Sequence, residues 1–135
     1  MSLSATCKTQ ITDVKALVDV LVELLGKDAV KVKTGAYSST NKKIEVEVKP
    51  SALYGTAGYY KNKNGTYSLV YDTMDRKALA KILPKKINNV TVDPVSKTYA
   101  YHRVMASIRS LKGRVVQNTT EQDGTIRLKV KINHY

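Results

Sequence analysis

The stretch Tyr59-Tyr60-Lys61-Asn62-Lys63-Asn64-Gly65-Thr66-Tyr67-Ser68-Leu69-Val70-Tyr71 has the pattern of a β-hairpin. Two strand-like runs, Tyr59 to Lys61 and Tyr67 to Tyr71, flank Asn62-Lys63-Asn64-Gly65. Asn-Gly between such runs is a strong turn signal, because both residues tolerate the positive φ that a tight hairpin demands. Upstream, Ile44, Val46 and Val48 alternate with Glu45, Glu47 and Lys49. That two-residue period predicts a strand over 43–49 with one wet face, ended by Pro50. Residues 51–58, Ser-Ala-Leu-Tyr-Gly-Thr-Ala-Gly, read as a loop, 35–41 as turn-like, and Val30 and Val32 as a brief strand.

The N-terminal part begins with alternating Ala5, Cys7, Thr9 and Ile11, the pattern of a short half-buried strand. Thr12 suits an N-cap, and Asp13 suits the first turn of a helix. Val14, Leu17, Val18, Leu21, Leu24 and Leu25 follow at helical spacing, so a helix is predicted over 13–25, closed by Gly26. Downstream of the hairpin, Thr73 is placed to cap a helix through about 83, with Leu79, Ile82 and Leu83 as its apolar stripe and Pro84 as its stop. Val90 and Val92 suggest a short strand before Pro94. A second long helix is predicted from 96 or 97 to 112 on Tyr101, Val104, Met105, Ile108 and Leu111. Val115 and Val116 begin a strand, Asp123-Gly124 turns the chain, and Ile126, Leu128, Val130 and Ile132 return, alternating with Arg127, Lys129 and Lys131. The predicted fold is α+β: an antiparallel sheet built largely from hairpins, with two or three helices packed on one face and the other face wet and charged.

The chain has 135 residues, which fits a single domain spanning 1–135. Apolar residues make up 42%, too many for a disordered chain. No apolar run approaches the ~18 residues of a membrane span, and the N-terminus lacks the pattern of a signal peptide. One cysteine, Cys7, excludes an intrachain disulfide and a thiolate zinc site. A cytoplasmic protein that needs no cofactor and no membrane is expected. Nine Tyr with no Trp or Phe imply an aliphatic core, with tyrosines at its edge or on a binding surface. Lys and Arg number 23 against 11 Asp and Glu, a formal charge of +12, which points to a negatively charged partner.

Four features carry candidate chemistry. Ten cations fall between Arg76 and Arg114, with Asp93 the only carboxylate among them. Such a block attracts phosphates and is weakened by salt. Arg127, Lys129 and Lys131 share one strand face, where they either line a phosphate groove or pair with Glu45 and Glu47 of a neighbouring strand. The loop Tyr54-Gly55-Thr56-Ala57-Gly58-Tyr59-Tyr60-Lys61 combines glycines, which let backbone N–H groups approach an anion, with stacking surfaces. It matches neither GxxxxGK[ST] nor GxGxxG. In Tyr99-Ala100-Tyr101-His102-Arg103, Tyr99 and Arg103 share a helix face, and His102 and Arg103 are candidate anion contacts. No acidic or nucleophilic partner for His102 is identifiable, so a triad is unsupported; a phosphodiester hydrolase using His102 is the third and least favoured reading. Asp72 and Asp75 suit a helix start.

The opening Ser4-Ala5-Thr6-Cys7-Lys8-Thr9-Gln10-Ile11-Thr12-Asp13 resembles that of a family of small conserved proteins from cyanobacteria, plastids and bacterial viruses. The family is known as a hypothetical chloroplast reading frame and a domain of unknown function. Tyr99-Ala100-Tyr101-His102-Arg103-Val104, Gly113-Arg114-Val115-Val116 and Glu121-Gln122-Asp123-Gly124-Thr125-Ile126-Arg127-Leu128-Lys129-Val130 are similar to its closing block, and Asn64-Gly65-Thr66-Tyr67 through Tyr71-Asp72 is a further match. The resemblance implies that Tyr101, His102, Asp123, Gly124 and Arg127 belong to a family pattern, and it implies no activity. Viral members suggest a protein that sequesters a host nucleotide signal.

The expected function is non-enzymatic binding of a phosphate-bearing anion, nucleic acid or small nucleotide. The expected ligand-binding residues are Tyr54, Gly55, Gly58, Tyr59, Tyr60, Lys61, Tyr99, His102, Arg103, Arg127 and Lys129. For a nucleotide, residues 54–61 and 99–103 would form a pocket, an arrangement that accommodates a homo-oligomer. The alternative is an interaction or assembly factor that docks a protein on the charged sheet face or an edge strand.

Overall fold

The Asn64-Gly65 hairpin closes on a short turn. Asn62 N–H donates to Thr66 O (2.7 Å), Gly65 N–H donates to Asn62 O (3.0 Å), and Gly65 takes φ +90 with open space around it. Glycine is needed there for its left-handed backbone alone. In the computed structural model, which describes residues 3–110, 113–120 and 126–132, this hairpin joins β4 (Ala57–Lys61) to β5 (Tyr67–Asp72) at the centre of a five-stranded sheet. The chain forms two compact units, Met1–Leu83 and Pro84–Tyr135.

In the first unit the strand order is β1-β5-β4-β3-β2, antiparallel throughout, with β1 Ser4–Lys8, β2 Val30–Val32 and β3 Val46–Val48. The register aligns Val32, Val46, Tyr59, Leu69 and Cys7 in one row across the sheet. Side chains alternate across a strand, so this row shares one face. Its central members Val46, Tyr59 and Leu69 are buried, and each buried aliphatic side chain contributes about 1.5–3 kcal/mol. Cys7 near the edge is half-buried.

Helix α1 (Val14–Leu25) buries Leu17, Val20 and Leu21, as its spacing predicts. Its N-cap is Asp13 rather than Thr12: the Asp13 carboxylate accepts from Lys15 N–H (3.0 Å). A carboxylate reaches the second helical N–H and also complements the helix dipole.

Two expectations change. The opposite sheet face is wet only toward its edges. Its row Lys31, Glu47, Gly58, Val70 and Thr6 is exposed at both ends, yet Gly58 and Val70 are buried, and β5 is buried at every position from Tyr67 to Tyr71. The helix expected over 73–83 is a single 3-10 turn at Thr73–Asp75 followed by irregular turns. Leu79 N–H reaches back four residues to Asp75 O, whereas Ala80 and Ile82 reach back three, so no regular α-turn propagates. Leu79, Ile82 and Leu83 are nevertheless buried, and the cap is Asp72, not Thr73.

The second unit opens with a small hairpin, β6 (Lys85–Ile87) and β7 (Val90–Val92). Asn88 and Asn89 turn it at φ 51 and 64, the positive values of a tight hairpin. Helix α2 (Pro94–Ser110) follows, two residues earlier than predicted. Asp93 caps it by accepting from Val95 N–H (3.1 Å) and Ser96 Oγ (2.9 Å), and Pro94 occupies the first helical position that tolerates proline. Val95 and Ile108 are its buried residues, while Val104 is exposed. The helix packs on an antiparallel pair, β8 (Gly113–Thr120) and β9 (Ile126–Ile132), bulged between Val115 and Gln117. The Asp123-Gly124 turn and Leu111 lie outside the described residues.

Gly58 is the tightest point of the first sheet. A Cβ there would collide with the Ile44 side chain and lie 2.6 Å from Val46 O. Gly58→Ala is expected to lower unfolding free energy by about 1–3 kcal/mol, the cost of overpacking a filled core, measured by urea denaturation.

Candidate functional site

Two loops of the first unit bring lysines together. A tight turn leads into β3: Asn41 adopts φ 64, Ser38 N–H donates to Lys42 O (2.9 Å), and Lys42 N–H donates to Ser38 Oγ (3.0 Å). Tyr37 then pairs with Lys43. Opposite, Asn62 anchors the end of β4 by donating from Nδ2 to Ser68 Oγ (2.8 Å). Between these segments lies an open cavity of about 320 Å³ lined by Lys42, Lys43, Lys61, Lys63, Tyr60 and Glu45, with Asn41 and Asn62. The Lys42 ammonium lies 5.4 Å from the centre of the Tyr60 ring, a cation–π contact that positions the charge over one ring face.

Four lysines and one glutamate thus line the cavity. Glu45 is already engaged, since its Oε2 accepts from the Tyr67 hydroxyl (2.9 Å). Burial, and then the hydrogen bond and the negative charge of Glu45, push the Tyr67 hydroxyl up from 10.0 to about 12. Tyr67 therefore remains a neutral donor across the physiological range. The lining carries four cationic residues against one acidic one in an open setting, where charge interactions are screened by salt.

The residues expected to bind ligand separate into groups. Tyr60 and Lys61 line this cavity. Tyr59 does not: it is 1% exposed and belongs to the core, because its register places it between Val46 and Leu69. Gly58 is a packing glycine rather than an anion contact. Tyr54 is 75% exposed, but the backbone N–H groups of Tyr54 and Gly55 do not cradle a ligand. They donate to the two oxygens of Asp75 (2.8 and 3.0 Å), a carboxylate only 2% exposed. The protein's own anion occupies the place the glycine loop was expected to offer to a phosphate.

Tyr99, His102 and Arg103 lie on α2, in the second unit. Arg103 stacks over Tyr99 at 5.8 Å and reaches its hydroxyl at 3.4 Å, and the His102 ring lies tilted beside Tyr101. Arg127, Lys129 and Lys131 are exposed along β9. Their strand is not a neighbour of β3, which carries Glu47: β9 pairs with β8, whose opposing residues are Thr119, Gln117 and Arg114. The cation block 76–114 is divided between the units, with Arg76, Lys77 and Lys81 in the first.

Lys42, Lys43 and Lys63 carry no local signal of a site, because their cavity forms only where residues 41–45 meet residues 60–63 in the fold. Asp75 escaped the sequence reading because its spacing suits a helix start. Tyr67 was read only as a strand residue, and its hydroxyl partner lies 22 positions away.

The architecture is that of an α+β protein with a lysine-lined cavity in its first unit. Over residues 20–129 the chain matches the family described as Protein of unknown function (DUF1257), and it belongs to that family. No curated protein and no solved structure matches it. No helix among the described residues is long and apolar enough to cross a membrane, and none of their His, Cys, Asp and Glu side chains form a cluster of three or more suited to a metal.

Two outcomes follow from this geometry. Tyrosinate absorbance at 295 nm should show one tyrosine titrating near pH 12, lost in Tyr67→Phe. The native state holds this proton more tightly than the unfolded chain. Its stabilising contribution is complete below pH 10 and disappears as pH rises through about 12. Asp75→Ala strands two backbone donors and should destabilise the fold by about 3 kcal/mol in urea denaturation, without changing anion binding at the lysine cavity.

Proposed function

We propose that this protein binds a phosphate-bearing anionic ligand without turning it over, through the lysine cavity of its first unit. The observation that carries this reading is the convergence of Lys42, Lys43, Lys61 and Lys63 on one cavity whose single lining carboxylate is hydrogen-bonded to Tyr67. Lysine ammoniums act as point charges that suit phosphates without reading base identity. The cavity is open and lacks the bidentate arginines that grip a single small nucleotide. These features favour the phosphates of an extended single-stranded nucleic acid. Tyr60 is covered on one face by Lys42, so it supports the reading as a holder of charge more than as a stacking platform.

The narrower reading, a protein of viral, cyanobacterial or plastid kinship that sequesters a host nucleotide signal, requires a nucleotide to bind as tightly as an oligomer. Docking of a protein partner on the charged sheet face has less support, since that face is wet only toward its edges.

Anisotropy of a labelled single-stranded oligonucleotide tests the proposal. Engagement of four lysines should give a slope of about −3 in log Kobs against log[salt], and Lys61→Ala should reduce its magnitude by about 0.7. His102→Ala should leave binding unchanged. Absence of binding at low salt, or binding indifferent to Lys42→Glu with Lys61→Glu, would overturn the assignment. Competition by a mononucleotide at equal concentration would favour the sequestration reading.

A further inference from the structure

A second hollow adjoins the lysine cavity. It lies between α1 and the edge strand β2, measures about 680 Å³, and shares Lys43 and Glu45 with the cavity described above. Its apolar surface comes from Val14 and Val18, one helical turn apart on α1, and from Val32 on β2. Val14 is 39% and Val32 49% exposed. Single exposed valines are ordinary, but three from two elements converging on one hollow of ligand size are not. Lys15, Lys33 and Lys43 line the same hollow. Its one lining carboxylate, Glu45, accepts the Tyr67 hydroxyl, so cations outnumber anions at the apolar surface.

We infer that this hollow takes a single-chain anionic amphiphile: an unbranched apolar tail against Val14, Val18 and Val32, with a phosphate head directed to Lys43 and its lysine neighbours. The order of residues dictates that orientation. Lys43 stands where the apolar hollow meets the lysine cavity, so a head placed there leaves the tail along α1. The assignment shares with the proposed function only the treatment of Lys43 as facing an anion. An added peptide strand is a poor occupant. β2 is three residues long, its Val30 N–H is already donated to Lys27 O, and Lys31 and Lys33 line its edge.

Isothermal titration with hexyl, octyl and decyl phosphate, each below its micellar concentration, decides the matter. One molecule should bind per chain, tightening by up to about fourfold per added methylene. Inorganic phosphate and decanol, each lacking half of the ligand, should bind at least ~10-fold more weakly than decyl phosphate. Val32→Glu, at an exposed position that the fold tolerates, should abolish the chain-length dependence while leaving oligonucleotide binding intact. Lys43→Glu provides a second variant, which should weaken decyl phosphate and leave decanol unchanged. Equal affinity for hexyl and decyl phosphate, several molecules bound per chain, or indifference to both substitutions would overturn the inference. So would a concentration-dependent dimer, seen by sedimentation and abolished by Val32→Glu, because a second copy would then cover the hollow. Oligonucleotide binding that persists when the alkyl series fails would sink this inference alone. Alkyl binding that persists when oligonucleotide binding fails would sink only the nucleic-acid reading.

Discussion

Tyr67 is the residue through which the first unit holds together. Its carbonyl accepts from both Thr9 N–H (3.0 Å) and Thr9 Oγ1 (2.6 Å), and its own N–H donates to Ile11 O (3.0 Å). Those bonds carry the β1–β5 pairing beyond the end of β1 and set where the chain leaves the sheet for α1. Its hydroxyl crosses to Glu45 in the segment before β3. One side chain and one peptide unit thus connect the N-terminal arm, the central strand and the wall of the candidate site. Buried polar groups must find partners, and here each pairing also determines a position. The hydroxyl's hold on Glu45 keeps the one carboxylate at the lysine cavity directed toward the sheet.

The two carboxylates that matter most have opposite consequences for binding. Asp75 is buried and consumes the backbone donors of Tyr54 and Gly55, turning a glycine-containing loop into a structural tether. Glu45 lies at the edge of two hollows and is restrained by a neutral phenol. The glycines of this loop are therefore spoken for, and the lysines that line a cavity lie elsewhere, at residues 42–43 and 61–63. That distribution follows from desolvation: a carboxylate taken out of water gathers N–H groups around itself, leaving them nothing to offer a ligand.

The two hollows meet along residues 43–45, and their linings differ in kind. One is ringed by ammonium groups, the other floored by valines of α1 and β2. The contrast arises from the sheet edge. β2 is short and leaves the flank of α1 uncovered, whereas the next turn projects lysines toward the β4–β5 hairpin. The second unit is basic as well, with ten cations against three carboxylates in 84–135, and eight of the ten are spread along β6, α2 and β9.

Local pattern by itself determined the hairpin at Asn64-Gly65, the helix after Asp13 and the α+β class. Each depends on neighbours within a few residues, on a positive φ, a 3.6-residue stripe or a two-residue alternation. It also singled out Tyr60 and Lys61, which line the lysine cavity. It misjudged Tyr59 because alternation tells that two faces exist but not which one is covered; the register with Val46 and Leu69 decided that. It misjudged Gly55 and Gly58 because a glycine signals freedom of the backbone, not what approaches it. Only the folded chain brought Asp75 beneath the loop at 54–55, Ile44 over Gly58, and lysines from residues 42–43 and 61–63 around one cavity. Those encounters join residues about 14–21 positions apart, and no local period encodes them, because they arise from how strands stack in a sheet rather than from how a chain turns.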